Sequence, residues 1–261
     1  MRIFTSVRAV ARIIGLVLIA SLFSPPVILL WALTLEKLRA RMVHQFHKLA
    51  CRICGIRLKI EGHISDARPM MLVSNHSCYL DIFILGSLAP MSFTPKREIR
   101  SWPVIGFFCI LADCVFIERR PAAMEEAKAE MEMKLAQGKV LTLFPEGTTG
   151  DGFHVKPFKS GFMNLVETHD LPVQPISLAY THIGATALNA QNRDHVAWIG
   201  EASLMSHLFR LMCYPSVSVT AQFYPLIRSA QVEDRKQMAK TCEHTIREGL
   251  HKTLEQNGVT S

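Results

Sequence analysis

His76 and Asp81, five residues apart in the run N-H-S-C-Y-L-D at residues 75–81, are the side chains best placed for acid–base chemistry in this 261-residue chain. A histidine takes a proton on one ring nitrogen most readily when a carboxylate holds the other. Within one regular helix, residues five apart point about 140° away from each other. The pair can therefore meet only if His76 lies in the turn before a helix. The flanking pattern allows this: residues 70–73 read as a buried strand and residues 82–88 as an apolar helix. Strand-to-helix turns are where open α/β sheets form sites. On this stretch alone, a His near an Asp is more often a structural pair than a catalytic one.

Three further stretches end apolar runs with functional groups. F-P-E-G-T-T-G-D-G at residues 144–152 follows a buried strand and offers Glu146, Gly147, Thr148 and Thr149. A glycine there lets backbone approach a ligand, and successive N–H groups can hold an oxyanion or phosphate. V-F-I-E-R-R at residues 115–120 brings Arg119 and Arg120 to a strand end, a pattern suited to phosphate or carboxylate recognition, or simply to a solvated strand end. Lys96, Lys156 and Lys159 add cations near such loops. L-P-V-Q-P-I at residues 171–176 places prolines where only strand starts and edges tolerate them.

These groups must be positioned by alternating strands and helices, which predict a mixed, largely parallel α/β sheet flanked by helices. Strands are predicted at residues 56–61, 70–73, 91–94, 114–117, 140–144, 173–179, 196–199 and 216–223, and helices at 82–88, 104–111, 121–137, 204–212 and 235–254. Before them, residues 13–35 are almost wholly apolar, interrupted by Pro25-Pro26. The proline pair removes two donors and disfavours helix at Ser24. The expectation is two shorter helices meeting at the prolines and entering one leaflet of a bilayer as a hairpin. The second continues as an amphipathic stripe through Trp31, Leu35, Leu38, Met42, Phe46 and Leu49. The domain division is then 1–52 for the membrane-associated hairpin and 53–261 for the α/β domain.

The chain is 49% hydrophobic with a formal charge of +7. That balance suits nucleic acid or an anionic membrane surface, and the apolar N-terminus favours the membrane. Basic residues flank the apolar segment on both sides, so the α/β domain is expected on the cytoplasmic side of the inner membrane. Seven cysteines, an odd number mostly in apolar runs, suit reduced thiols. Cys51 and Cys54 form a C-x-x-C without a second pair. No G-x-S-x-G, H-E-x-x-H or G-x-x-x-x-G-K-[ST] occurs, which argues against a serine hydrolase, a zinc hydrolase and a P-loop enzyme.

In their order, the four stretches resemble the blocks of the glycerolipid acyltransferases. N-H-S-C-Y-L-D is similar to the N-H-x4-D block, V-F-I-E-R to the second, F-P-E-G-T-T to the third and L-P-V-Q-P-I to the fourth. The resemblance covers roughly residues 46–179. The extended run at 144–152, with K-P-F-K-S at 156–160, resembles a bacterial subgroup that includes lyso-ornithine-lipid acyltransferases. The resemblance implies a sheet flanked by helices, a membrane-attached helical motif and catalysis by His76 with Asp81. It implies acceptor binding by Glu146 and Arg119, the latter on a head-group phosphate, with Gly147, Thr148, Lys96 and Arg120 as further binding candidates. The acceptor expected first is 1-acyl-sn-glycerol-3-phosphate, giving phosphatidic acid, and second lyso-ornithine lipid. The acyl donor would be a thioester of acyl carrier protein or coenzyme A. No resident cofactor, metal or nucleic-acid partner is expected. A basic membrane-binding protein without catalysis is the more distant alternative.

Overall fold

The computed structural model describes residues 2–118, 120–200 and 202–260. Two long helices come first, α1 (Arg2–Ala32) and α2 (Glu36–Cys54). The α/β layer follows in the order β1 (Ile56–Glu61), β2 (Met70–Ser74), α3 (Leu80–Leu88), β3 (Ser92–Phe93), α4 (Ile105–Leu111), α5 (Pro121–Ala136), β4 (Val140–Leu143), α6 (Asn164–His169), β5 (Val173–Ile183), β6 (Thr186–Ala187), α7 (Leu204–Met212), β7 (Val217–Phe223) and α8 (Arg235–Gln256).

The sheet runs β1-β7-β5-β2-β4-β3, with β6 paired to β5. β2 pairs in parallel with both β4 and β5, and β3 in parallel with β4. β7 is parallel to β1 and antiparallel to β5. The sheet is therefore mixed and largely parallel, as its sequence pattern implies. Met70, Met71, Leu72 and Val73 are fully buried, as expected of a central parallel strand covered on both faces. Because β2, β4 and β3 run the same way, the segments after all three emerge at one end of the sheet. That end carries the 75–81 turn, the 144–152 loop and Lys96.

The N-terminal segment differs from its sequence reading. α1 runs unbroken through Pro25 and Pro26, and the chain reverses nine residues later, where Thr34 takes φ 55°. Trp31 thus belongs to α1, and Leu35 caps α2. The prolines cost two donors, but helix on either side is held by packing of α1 on α2, and Ser24 Oγ donates to the carbonyl of Ala20 at 2.6 Å. The hairpin also rests on the α/β layer. Arg12 Nη1 and Nη2 donate to the carbonyls of Tyr214 and Pro215 at 2.6 and 2.8 Å.

Two expected strands are absent. Residues 114–117 form only an isolated bridge between Ile117 and Lys96, and residues 196–199 lie in a loop after a 3₁₀ turn, Arg193–His195. Val115, Val196 and Ala197 are buried, and a buried loop gives the same apolar signature as a short strand.

Candidate active site

The turn after β2 is fixed by side chains. Where the β2 backbone leaves the sheet, Asn75 continues the pairing with β5. Its Nδ2 donates to Leu178 O at 3.0 Å and its Oδ1 accepts from Leu178 N at 2.8 Å. His76 follows, in the turn, and Asp81 opens the first turn of α3. His76 Nδ1 and Asp81 Oδ2 lie 2.8 Å apart, so the geometric condition set by the spacing is met. Asp81 is fully buried. Its Oδ2 also accepts from the Ser77 and Cys78 amides at 2.7 and 3.0 Å, and its Oδ1 from the Tyr180 hydroxyl at 2.5 Å. A carboxylate already accepting three other donors calls for a proton on His76 Nδ1. That leaves Nε2 with its lone pair, the tautomer a general base requires. The imidazole stacks on Phe144, with ring centroids 4.1 Å apart and 21° between planes. The side chain is 20% exposed, and Nε2 has no hydrogen-bond partner among the described residues.

The loop after β4 braces this turn. Gly147 has φ +69°, and a Cβ added there would come 2.8 Å from the Lys159 ammonium. The glycine thus serves both a left-handed backbone and the close approach of a cation. Its own N–H is taken by Phe144 O at 3.0 Å. Glu146 is buried. Its Oε1 accepts from the His76 amide at 2.8 Å and its Oε2 from the Lys156 amide at 2.9 Å. Burial raises its carboxyl to about 7, against the opposing pull of those two N–H donors. The side chain spans two loops and points at backbone, the work of a clamp. The Gly150 amide donates to His76 O at 2.7 Å, joining the same two loops again. Thr148 is exposed, and among the described residues its N–H and hydroxyl have no partner.

The cations divide. Lys96 is exposed and sits on the bridge to Ile117, just past β3. Arg97 Nη1 lies 3.2 Å from Glu118 Oε2. Arg120 is exposed and also engages Glu118, with Nη2 3.0 Å from Oε2. This strip therefore carries both signs of charge. Arg119, the cation the resemblance assigns to the head group, lies outside the described residues.

Two contributors are invisible to motif reading. Tyr180 is buried on β5, 99 residues from the carboxylate it serves, and in the mixed strand V-Q-P-I-S-L-A-Y-T-H-I nothing local marks it out. Burial, and then the nearby Asp81 charge, hold its hydroxyl well above the usual tyrosine range, so it stays a donor. Trp198 lies in the stretch that carries no motif. Its amide donates to Ser77 O at 2.9 Å and its carbonyl accepts from Thr149 Oγ1 at 2.5 Å. It therefore latches the catalytic turn to the loop after β4.

A histidine held by a buried carboxylate, at the open end of a mixed α/β sheet and beside a cation-bearing loop, is an arrangement that can serve base-assisted group transfer. The acyltransferase family's sequence profile, described as Acyltransferase, matches residues 55–179. A lyso-ornithine lipid O-acyltransferase of Brucella abortus is 33% identical over 83% of this chain and 84% of its own. A 1-acyl-sn-glycerol-3-phosphate acyltransferase of Neisseria gonorrhoeae is 27% identical over 81% of each chain. The crystal structure of the 1-acyl-sn-glycerophosphate (LPA) acyltransferase PlsC from Thermotoga maritima shares the fold, with TM-score 0.63, 19% identity and coverage of 93% of this chain and 97% of that one. The chain belongs to the acyltransferase family and is an O-acyltransferase.

Proposed function

We propose that the chain moves a fatty acyl group from a thioester to the free hydroxyl of a lysolipid. The observation that carries this reading is the His76–Asp81 pair with Nε2 turned outward. His76 Nε2 takes the hydroxyl proton as that oxygen attacks the thioester carbonyl, and Asp81 stabilises the imidazolium. The carbonyl re-forms as the C–S bond breaks, and the departing thiolate takes the proton from His76. The Thr148 amide and the Lys159 ammonium, which approaches Gly147, are candidates to stabilise the oxyanion or an acceptor anion. The thioester carrier is acyl carrier protein or coenzyme A, either of which suits a basic protein. No metal or resident cofactor enters the scheme.

Of the two acceptors weighed above, we favour lyso-ornithine lipid. The relative of that name is more similar, 33% against 27% identical, over 83% of this chain against 81% for the phosphate-acceptor relative. The strip of Arg97, Glu118 and Arg120, bearing both signs, suits a head group with a carboxylate and an ammonium. 1-Acylglycerol-3-phosphate is the second reading, favoured by the cations Lys96 and Lys159 at the sheet end.

The α1–α2 hairpin, residues 1–52 of the expected division, would attach the 53–261 domain to the cytoplasmic face of the inner membrane. The 28 residues Thr5–Ala32 contain an 18-residue window of mean hydropathy 2.5 and are long enough to cross a bilayer. The deciding assay offers purified protein a radiolabelled acyl thioester with each lysolipid side by side. Faster transfer to lyso-ornithine lipid is expected. Faster transfer to 1-acylglycerol-3-phosphate would reverse the order of acceptors, and transfer to neither would defeat the reading.

A further inference from the structure

Three helices turn apolar side chains outward, and none of the three contains an acidic residue. α1 exposes Val7, Val10, Ile14, Leu18, Leu22 and Leu29 in one stripe, with Leu22 71% exposed. α4 exposes Phe107 and Ile110 beyond its cap, Val104, which is 66% exposed. α7 exposes Met205, at 63%, and Phe209. These surfaces adjoin one another. α1 packs against both α4 and α7. Arg8 Nη1 donates to Cys213 O at 3.1 Å, just past the end of α7. Phe46 of α2 contacts Phe23 of α1 and stacks on Phe108 of α4, ring centroids 6.0 and 6.3 Å away. On α7 the opposite side is buried: His207 bonds the Tyr79 hydroxyl through Nδ1 at 3.0 Å, beside the catalytic turn.

Contiguous apolar surface on acid-free helices is costly in water and marks a contact site. We infer that α4 and α7 are lipid-contacting elements, forming with α1 one platform that lies in a single leaflet. This rests on the reading of the hairpin as the membrane attachment and extends it to helices inside the α/β domain. The platform also fixes the attitude of α1. Ala9 and Val27 are both buried in protein, and they lie about 27 Å apart along the axis, close to the ~30 Å of a hydrocarbon core. A helix crossing the bilayer over that length would carry α7, with the Arg8 and Arg12 guanidiniums that bond the carbonyls after it, into the hydrocarbon, where charged side chains are costly. Lying in the leaflet plane, α1 keeps one face on protein and the other on acyl chains. Exposed Lys37 and Arg41 at the hairpin end suit anionic head groups. The occupant is therefore a lipid surface, and the catalytic turn sits one helix away from it.

The test uses the full chain and vesicles of phosphatidylethanolamine and phosphatidylglycerol, with the bound fraction read by flotation. Phe107→Glu with Ile110→Glu, and separately Met205→Glu with Phe209→Glu, are each expected to lower partitioning by about tenfold or more. Acyl transfer to detergent-dispersed acceptor should stay near the parent rate. A second measurement does not depend on tolerance of glutamates. In a chain changed at Trp31→Phe and Trp198→Phe, the remaining Trp102, just before α4, should be quenched by lipids brominated on their acyl chains. Unchanged partitioning of both double variants, or an unquenched Trp102, would overturn the platform. Absence of acyl transfer to any lysolipid would instead defeat the proposed function and leave these binding results standing.

Discussion

Two buried carboxylates stand at the same end of the sheet, and they do different work. Asp81, on the first turn of α3, holds a side chain: its four donors include the His76 imidazole, so its charge bears on Nε2 through one ring. Glu146, after β4, holds only backbone, the amides of His76 and Lys156. Asp81 sets the chemistry of the imidazole, and Glu146 sets where the imidazole stands. A carboxylate in a strand-end motif is thus a functional group only through what it accepts from, and the residue type alone does not distinguish the two roles.

Substitutions can break that contrast. His76→Ala removes the base and should lower kcat by about 10³-fold; a steady-state assay returning wild-type turnover would end the proposed mechanism. Asp81→Asn offers an amide where Nδ1–H needs an acceptor, and the expected loss is about 10²-fold in kcat with KM little changed. A KM effect alone would place Asp81 in binding. Glu146→Gln keeps one acceptor and turns an NH₂ toward the other backbone donor. Its kcat/KM should fall about tenfold, with a lower Tm. A loss as large as that of Asp81→Asn would erase the distinction between orienter and clamp. Tyr180→Phe takes one donor from Asp81, and stability should drop by about 1–3 kcal/mol in urea titration, with a smaller effect on kcat.

A further effect is expected in pH dependence. The Glu146 carboxyl lies at about 7 in the fold against an ordinary 4.5. Between those values the unfolded chain releases the proton while the folded chain keeps it. Stability from this residue is therefore full below about 4.5 and falls as pH rises toward 7, by at most about 3 kcal/mol. Urea titrations at both ends of that window should differ less in Glu146→Gln than in the parent. An equal difference would place the titration elsewhere.

Legibility in the sequence followed distance along the chain. The His76–Asp81 pair was readable because five residues and one strand-to-helix turn contain it. The helix expected near residues 204–212 is α7 (Leu204–Met212), because its periodicity is local. Glu146 was legible as a carboxylate in its loop, but its bond to the His76 amide was not, since that partner is 70 residues away. Tyr180 and Trp198 act across still longer separations and leave no pattern. The proline pair misled about the hairpin because local propensity predicts a break that packing on α2 overrides, whereas Thr34 gives no warning of its positive φ.

The position of β7 has a consequence for how the protein can be made. β1 joins the sheet only through β7, and β7 separates it from β5. Every recognisable motif is complete by residue 179, yet a ribosome that has released that much chain has not supplied residues 217–223 or the Trp198 latch. The motif-bearing segment must therefore wait, with the hairpin and β1 already synthesised, for its centre to be filled from the other end of the polypeptide. Chains shortened before residue 217 should display every family signature and yet fail to form a working enzyme.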